Sequence, residues 1–341
     1  MKKLMIMIGN GITIDLIGRL GLSDRIDTSN LFKNGDSVVW PDGQNEQGFL
    51  SYKYCHNLWN LGARSYMDIS DASQLIEDII SCINMMPKNM DSVGSKRKDN
   101  IYLNAYYELA AYLKHLFILY DGMVREEDMQ KREILDWGWY KLIKNAYANP
   151  EYSEIIIVTY NYDVFLERLL MAHNIPFDVL PVAEQGNKIK LIKPHGSISF
   201  AHNKKNDRIS YGIRKDSVMY EADIHDFNVI YEGMDDNFLV SALIPPSGDS
   251  SRLTYRWADQ LRQEVKAKAS SLQEGDKFIL SGLSYWHVDR KEIDDVLNSL
   301  DSRLQMYMIN PRPPRALNAV LSCVFDNYVL YTRADNLGGL I

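Results

Sequence analysis

Leu4-Met5-Ile6-Met7-Ile8-Gly9-Asn10-Gly11-Ile12-Thr13-Ile14-Asp15-Leu16 is the stretch that decides the fold. Leu4 to Ile8 form an unbroken apolar run, the pattern of a short strand buried on both faces. Gly9, Asn10 and Gly11 break the run, and Ile12 to Leu20 can begin a helix. Strand, glycine turn and helix together are the opening of a nucleotide-binding α/β unit. Gly9 and Gly11 let a backbone approach a pyrophosphate, with Asn10 in the same turn, and the free N–H groups of the following helix face the anion. Thr13 adds a hydroxyl donor. The third glycine of the usual dinucleotide fingerprint is missing, because position 14 is Ile, and a tight turn in any α/β protein reads the same way.

The same alternation continues further along the chain. Ile155 to Thr159, Lys188 to Lys193, Lys277 to Leu280, Leu304 to Ile309 and Asn327 to Thr332 read as strands. Between and around them, helices are expected after Asp163 and over Tyr255–Leu272, Val288–Leu300 and Pro314–Val324. This predicts a Rossmann-like, doubly wound parallel sheet with helices on both faces. The stretch from Asp24 to Gly48 is rich in turn residues and reads as loop, with a turn at Trp40-Pro41-Asp42-Gly43. Residues 49–149 carry helical periodicity instead. A helix capped by Ser70 or Asp71 runs through Leu75, Ile76, Ile79, Ile80 and Ile83, a second runs from Tyr102 to Tyr120, and a third spans Glu126 to Tyr147. The expected organisation is an α/β core of residues 1–48 and 150–341 with an inserted all-helical module at 49–149. Residues 201–240 are polar and show no readable pattern.

Composition narrows the function. Net charge is -7 over 341 residues, which disfavours a nucleic-acid platform because phosphate binding needs clustered Lys and Arg. The basic run Lys96-Arg97-Lys98 reads as a solvated loop. Cys55, Cys82 and Cys323 are far apart, so neither a disulfide framework nor a four-cysteine zinc ribbon is available, and no metal is expected. His56, His115, His173, His202 and His225 show no metal-ligand spacing. No stretch approaches the length of a membrane span. The expected setting is the reducing cytoplasm.

Polar and glycine-rich residues gather at the carboxyl ends of the expected strands, where ligands bind in open α/β sheets. After Ile155–Thr159 come Asn161 and Asp163. Asn161 can hold an amide, a water or a ribose hydroxyl; Asp163 can accept a hydrogen bond, offset positive charge or cap the next helix. After Lys193 come His195 and Gly196, and a histidine there is placed to act as a base near neutral pH. Gly282-Leu283-Ser284 can offer N–H groups and a hydroxyl, with His287 close by, and Asn310 follows the next strand.

The order of these motifs resembles the sirtuin (silent information regulator) superfamily. Its pattern is a glycine loop with a following Ser or Thr, Thr-x-Asn-x-Asp, His-Gly, Gly-x-Ser, and an Asn after the next strand. Here these are Gly9 to Thr13, Thr159 to Asp163, His195-Gly196, Gly282 to Ser284, and Asn310. The resemblance spans nearly the whole chain, the helical stretch less than the rest. The zinc cysteines of the deacylases are absent after His195-Gly196, and Leu243-Ile244-Pro245-Pro246 and the long helical stretch are additional features. These details resemble the zinc-free bacterial sirtuin-like effectors of antiphage defence.

That resemblance implies NAD as substrate, hydrolysis of the nicotinamide–ribose bond to nicotinamide and ADP-ribose, and depletion of cellular NAD. It implies Asn161 placing ribose or water, Asp163 on the nicotinamide amide and His195 as base, directly or through a ribose hydroxyl. Gly9, Asn10, Gly11, Thr13, Gly196, Gly282, Ser284 and Asn310 would hold the cofactor. A homo-oligomer, a separate activating protein, or both are expected. Of Tyr106, Tyr107, Tyr112, Phe117, Tyr120, Trp137, Trp139 and Tyr140 most are expected to fill the helical module's own core, but a small module cannot easily bury all of them, and assembly through the rest would order the loop at 24–48. Two other readings remain: a zinc-free protein deacylase with the same residues, and a non-catalytic NAD or ADP-ribose sensor.

Overall fold

The computed structural model describes the chain except for positions 45, 86–99, 207–210, 214–217, 247–254, 284–289 and 336. The basic run at 96–98, Ser284 and His287 therefore lie outside the described residues. Strand β1 (Lys2–Ile8) turns at Gly9 into helix α1 (Asn10–Leu20). Helices α2 (His56–Asn60), α3 (Ile69–Asn84), α4 (Ile101–Met123), α5 (Arg132–Leu135) and α6 (Gly138–Ala148) follow, and the chain returns as β2 (Tyr152–Thr159). Helix α7 (Phe165–Ala172) leads to β3 (Phe177–Val179) and β4 (Ile189–Ile192). Next come β5 (Gly196–His202), α8 (Val218–Glu221), β6 (Phe227–Val229) and β7 (Ser241–Leu243). The chain closes with α9 (Arg256–Ser270), β8 (Lys277–Ser281), α10 (Arg290–Leu297), β9 (Gln305–Ile309), α11 (Arg315–Val324) and β10 (Asn327–Tyr331).

Seven strands form one parallel sheet in the order β10-β9-β8-β1-β2-β4-β3. The fold is α/β and Rossmann-like. β1 is central, with Met5 opposite Ile156 of β2 on one side and Phe278 of β8 on the other. Both faces are covered, so Leu4 to Ile8 are at most 1% exposed and the strand needs no polar alternation. The chain leaves β1 toward β2 and β4 and later returns on the opposite side as β8. This reversal opens a crevice at the carboxyl ends of β1 and β8, where such sheets bind ligands.

Several local expectations change. β3 pairs with β4 at the sheet edge but is three residues long, too short to show periodicity. The stretch read as patternless contains part of a small antiparallel sheet, β6-β5-β7, held by long-range pairing that local composition does not reveal. The cap of α3 is Asp68, whose carboxylate accepts from the Asp71 N–H at 2.9 Å, rather than Ser70 or Asp71. The helix expected over Glu126–Tyr147 is broken into a 3-10 turn at Glu126–Gln130, α5 and α6. The break seats Trp137, whose indole N–H donates to Asp15 Oδ2 at 2.7 Å, and Gly138, where a Cβ would lie 1.7 Å from the Ala334 carbonyl oxygen.

The eight aromatics, some of them expected to be left over for an assembly face, are all buried within the chain. Tyr112 and Tyr120 donate their hydroxyls to the Leu31 and Asp27 carbonyls, and Asn30 donates to the Met67 carbonyl. The loop at 24–48 is thus tied down by α4 and by Met67, so the aromatics give no ground for its ordering by assembly. Among the described residues no helix is long and apolar enough to cross a membrane, and no group of three His, Cys, Asp or Glu could hold a metal ion. Cys55, Cys82 and Cys323 are free thiols.

Candidate functional site

A cavity of about 380 Å³ lies at the carboxyl ends of β1, β2 and β8, within the roughly 300–1,000 Å³ typical of ligand pockets. Gly9 and Asn10 line it from the first turn, Asn161 and Asp163 from the end of β2, His195 from the end of β4, and Gly282 from the end of β8. The roof is Ala72, Ile76 and Glu77 of α3 and Phe117 of α4, with Thr28 and Ser29 closing one side. The helical stretch before β2 therefore contributes directly to the pocket. Asn10 donates its side-chain amide to the Thr28 carbonyl at 2.9 Å, which anchors that side loop to the floor.

The floor is a hydrogen-bond network. Asn161 Nδ2 donates to the Gly9 carbonyl at 3.2 Å and to Thr13 Oγ1 at 2.8 Å. The Gly9 oxygen can only accept, which fixes the amide orientation and leaves Oδ1 as the atom Asn161 can offer a ligand. The Thr13 hydroxyl donates in turn to Asp163 Oδ2 at 2.8 Å, and Asp163 Oδ1 accepts from the Phe165 N–H at 3.1 Å at the start of α7. Asp163 therefore holds both Thr13 and the first N–H of α7, one on each oxygen. Burial pushes its carboxyl above the usual range, against the pull of Lys193, the Thr13 hydroxyl and the Phe165 N–H. Lys193 is fully buried and donates to Glu167 Oε1 at 2.7 Å and to the Asp163 carbonyl at 2.5 Å.

The glycines act mainly through backbone contact. The Gly11 N–H donates to the Gly282 carbonyl at 3.2 Å, and the Ile12 N–H to the Gly9 carbonyl at 3.2 Å. These two N–H groups are already engaged by backbone carbonyls, so the turn presents fewer donors to an anion than its sequence predicts. Gly196 has φ +82°, and a Cβ there would lie 1.8 Å from the Ala242 carbonyl oxygen, which ties the residue to the small sheet rather than to the cavity lining. Asn310 Oδ1 accepts from the Arg312 N–H at 2.9 Å in a local turn, and Asn310 is likewise not among the lining residues. No lysine or arginine lines the cavity among the described residues.

His195 is 2% exposed. Its Nε2 lies 3.1 Å from Glu292 Oε2, and Arg262 Nε donates to Glu292 Oε1 at 2.9 Å. Tyr160 packs edge-on against the imidazole, with ring centroids 4.9 Å apart. Burial pushes the Glu292 carboxyl up, but His195 and Arg262 more than offset it and hold the group at about 2. Glu292 and Arg262 were missed by sequence reasoning, since Glu292 is 97 residues from its partner. One signal was present: Glu292 shares the buried face of α10 with Ile293, Val296 and Leu297, an unusual place for a lone carboxylate.

Neither a protein-family model nor a curated protein matches the chain significantly.

Proposed function

We propose that the chain hydrolyses NAD at the nicotinamide–ribose bond, as a zinc-free relative of the sirtuins. One observation carries this reading: His195, paired through Nε2 with a buried carboxylate, and Asn161, with its amide orientation fixed, line one cavity at the switch point of a Rossmann-like sheet. Nicotinamide leaves the pyridinium as a neutral molecule, and the transition state resembles the oxocarbenium ion of glycoside cleavage. The site then needs a base for water or for a ribose hydroxyl, and an acceptor to place that group. His195 is the base, and Asn161 Oδ1 is the acceptor. Asp163 supports Thr13, which in turn holds Asn161, and each of its oxygens keeps a lone pair with which it can accept from the nicotinamide amide.

The resemblance to antiphage effectors gives the proposed output, depletion of cellular NAD. The test is incubation of the purified chain with NAD alone, following nicotinamide and ADP-ribose. Release of both without any acyl-lysine peptide separates hydrolysis from deacylation. NAD binding by calorimetry with no product would instead assign a sensor.

A further inference from the structure

We propose that Glu292 and Arg262 form a positioning chain that fixes the orientation and tautomer of His195. The proposal rests on reading His195 as the base of the cavity. Glu292 and His195 are 7% and 3% exposed at their side chains, and each comes from a different part of the fold, α10 and the end of β4. An ionised carboxylate this deeply buried is costly unless both oxygens are paired. Here Oε2 meets the imidazole and Oε1 meets the guanidinium.

The consequence for His195 follows from donor and acceptor chemistry. A carboxylate can only accept, so the ring nitrogen facing it carries the hydrogen, and that nitrogen is Nε2. The neutral ring then has its lone pair on Nδ1, the nitrogen that takes a proton. Arg262 keeps Glu292 ionised by direct pairing and is steadied by Asp259, whose Oδ1 lies 3.2 Å from its Nη1 one turn earlier on α9. Two other described groups beside the ring have different roles. Tyr160 contributes an aromatic edge that restricts rotation. Lys193, two residues before His195, is directed to Glu167 and the Asp163 carbonyl. Neither Glu292 nor Arg262 lines the cavity among the described residues, so both act through His195 rather than on a ligand.

The experiment combines a spectroscopic and a kinetic readout on the full chain. His195 is assigned in long-range proton–nitrogen spectra by comparison with His195→Ala, and its tautomer and titration are followed in wild type and Glu292→Gln. NAD cleavage is followed in parallel against pH. Wild type should show the Nε2–H tautomer. In Glu292→Gln the tautomer preference should weaken, and loss of the anion should move the ring titration and the acid limb of kcat/KM to lower pH by about one unit. kcat should fall about 10²–10⁴-fold, in line with other carboxylate–histidine pairs. Arg262→Gln, which keeps the carboxylate, should weaken the tautomer preference and lower kcat by less, should move the ring titration and the acid limb to higher pH because a cation is lost, and serves if the first variant does not fold. A proton on Nδ1 in wild type, or an unchanged tautomer and titration in the variants, overturns the proposal whether or not NAD is cleaved. The predicted tautomer changes without NAD cleavage by wild type would uphold the chain and reject the hydrolase reading.

Discussion

Gly11 and Gly282 meet backbone to backbone. The Gly11 N–H donates to the Gly282 carbonyl at 3.2 Å, and a Cβ on Gly11 would lie 2.7 Å from Gly282 Cα. This contact closes the base of the crevice between β1 and β8. Neither backbone segment can give way like the end of a flexible side chain, so Gly11→Ala should destabilise the protein by about 1–3 kcal/mol through overpacking. The check is urea unfolding, reading the midpoint at constant slope. An unchanged midpoint would show that the two turns are not locked together.

Thr13 is the link between Asp163 and Asn161. Thr13→Val preserves shape but leaves a buried carboxylate oxygen and an amide N–H without their partner, at a cost of about 1–3 kcal/mol. It also leaves Asn161 held only by the Gly9 carbonyl, so NAD cleavage should fall with stability. Thr13→Ser retains the hydroxyl and should recover most of both. Paired unfolding and nicotinamide-release assays read this directly, and equal behaviour of Val and Ser variants would remove Thr13 from the site.

Glu292 makes stability depend on pH in a defined direction. Its carboxyl is held at about 2 against an ordinary 4.5. A depressed folded-state value contributes stability above the unfolded value and loses it as pH falls toward the folded value. The stability advantage of wild type over Glu292→Gln should therefore shrink as pH drops from about 6 to about 3. Asp121, Asp163 and Glu167 are shifted upward, chiefly by burial, and titrate in the opposite sense. They are present in both proteins, and so to first order leave the difference unaffected. A difference that is constant over this range would contradict the pairing.

Most of the sheet was legible because buried parallel strands are continuous apolar runs: Ile155 to Val158 and Phe278 to Leu280 are at most 1% exposed. β3 escaped notice because Phe177-Asp178-Val179 is short and its buried Asp178 is offset by Lys190 at 2.6 Å, a partner twelve residues away. The floor of the site was legible in Asn161, Asp163 and His195, since each follows a strand. Their connections were not: nothing in the sequence shows that Asp163 holds Thr13 and accepts from the first N–H of α7. Gly196 and Gly282 were visible as glycines, but their reasons are contacts with Ala242 and Gly11. Glu292 and the roof residues of α3 depend on packing between distant segments, which local periodicity cannot encode.

The most direct measurement of the central claim is nicotinamide release from NAD by the purified chain, across a range of protein concentration and without peptide substrate. Wild type should produce nicotinamide and ADP-ribose in equal amounts. His195→Ala should lose about 10²–10⁴ of the rate, and Asn161→Ala should also lose turnover, with both variants folded by circular dichroism. Wild-type release no faster than spontaneous hydrolysis, or near-normal turnover by either folded variant at saturating NAD, would contradict the assignment.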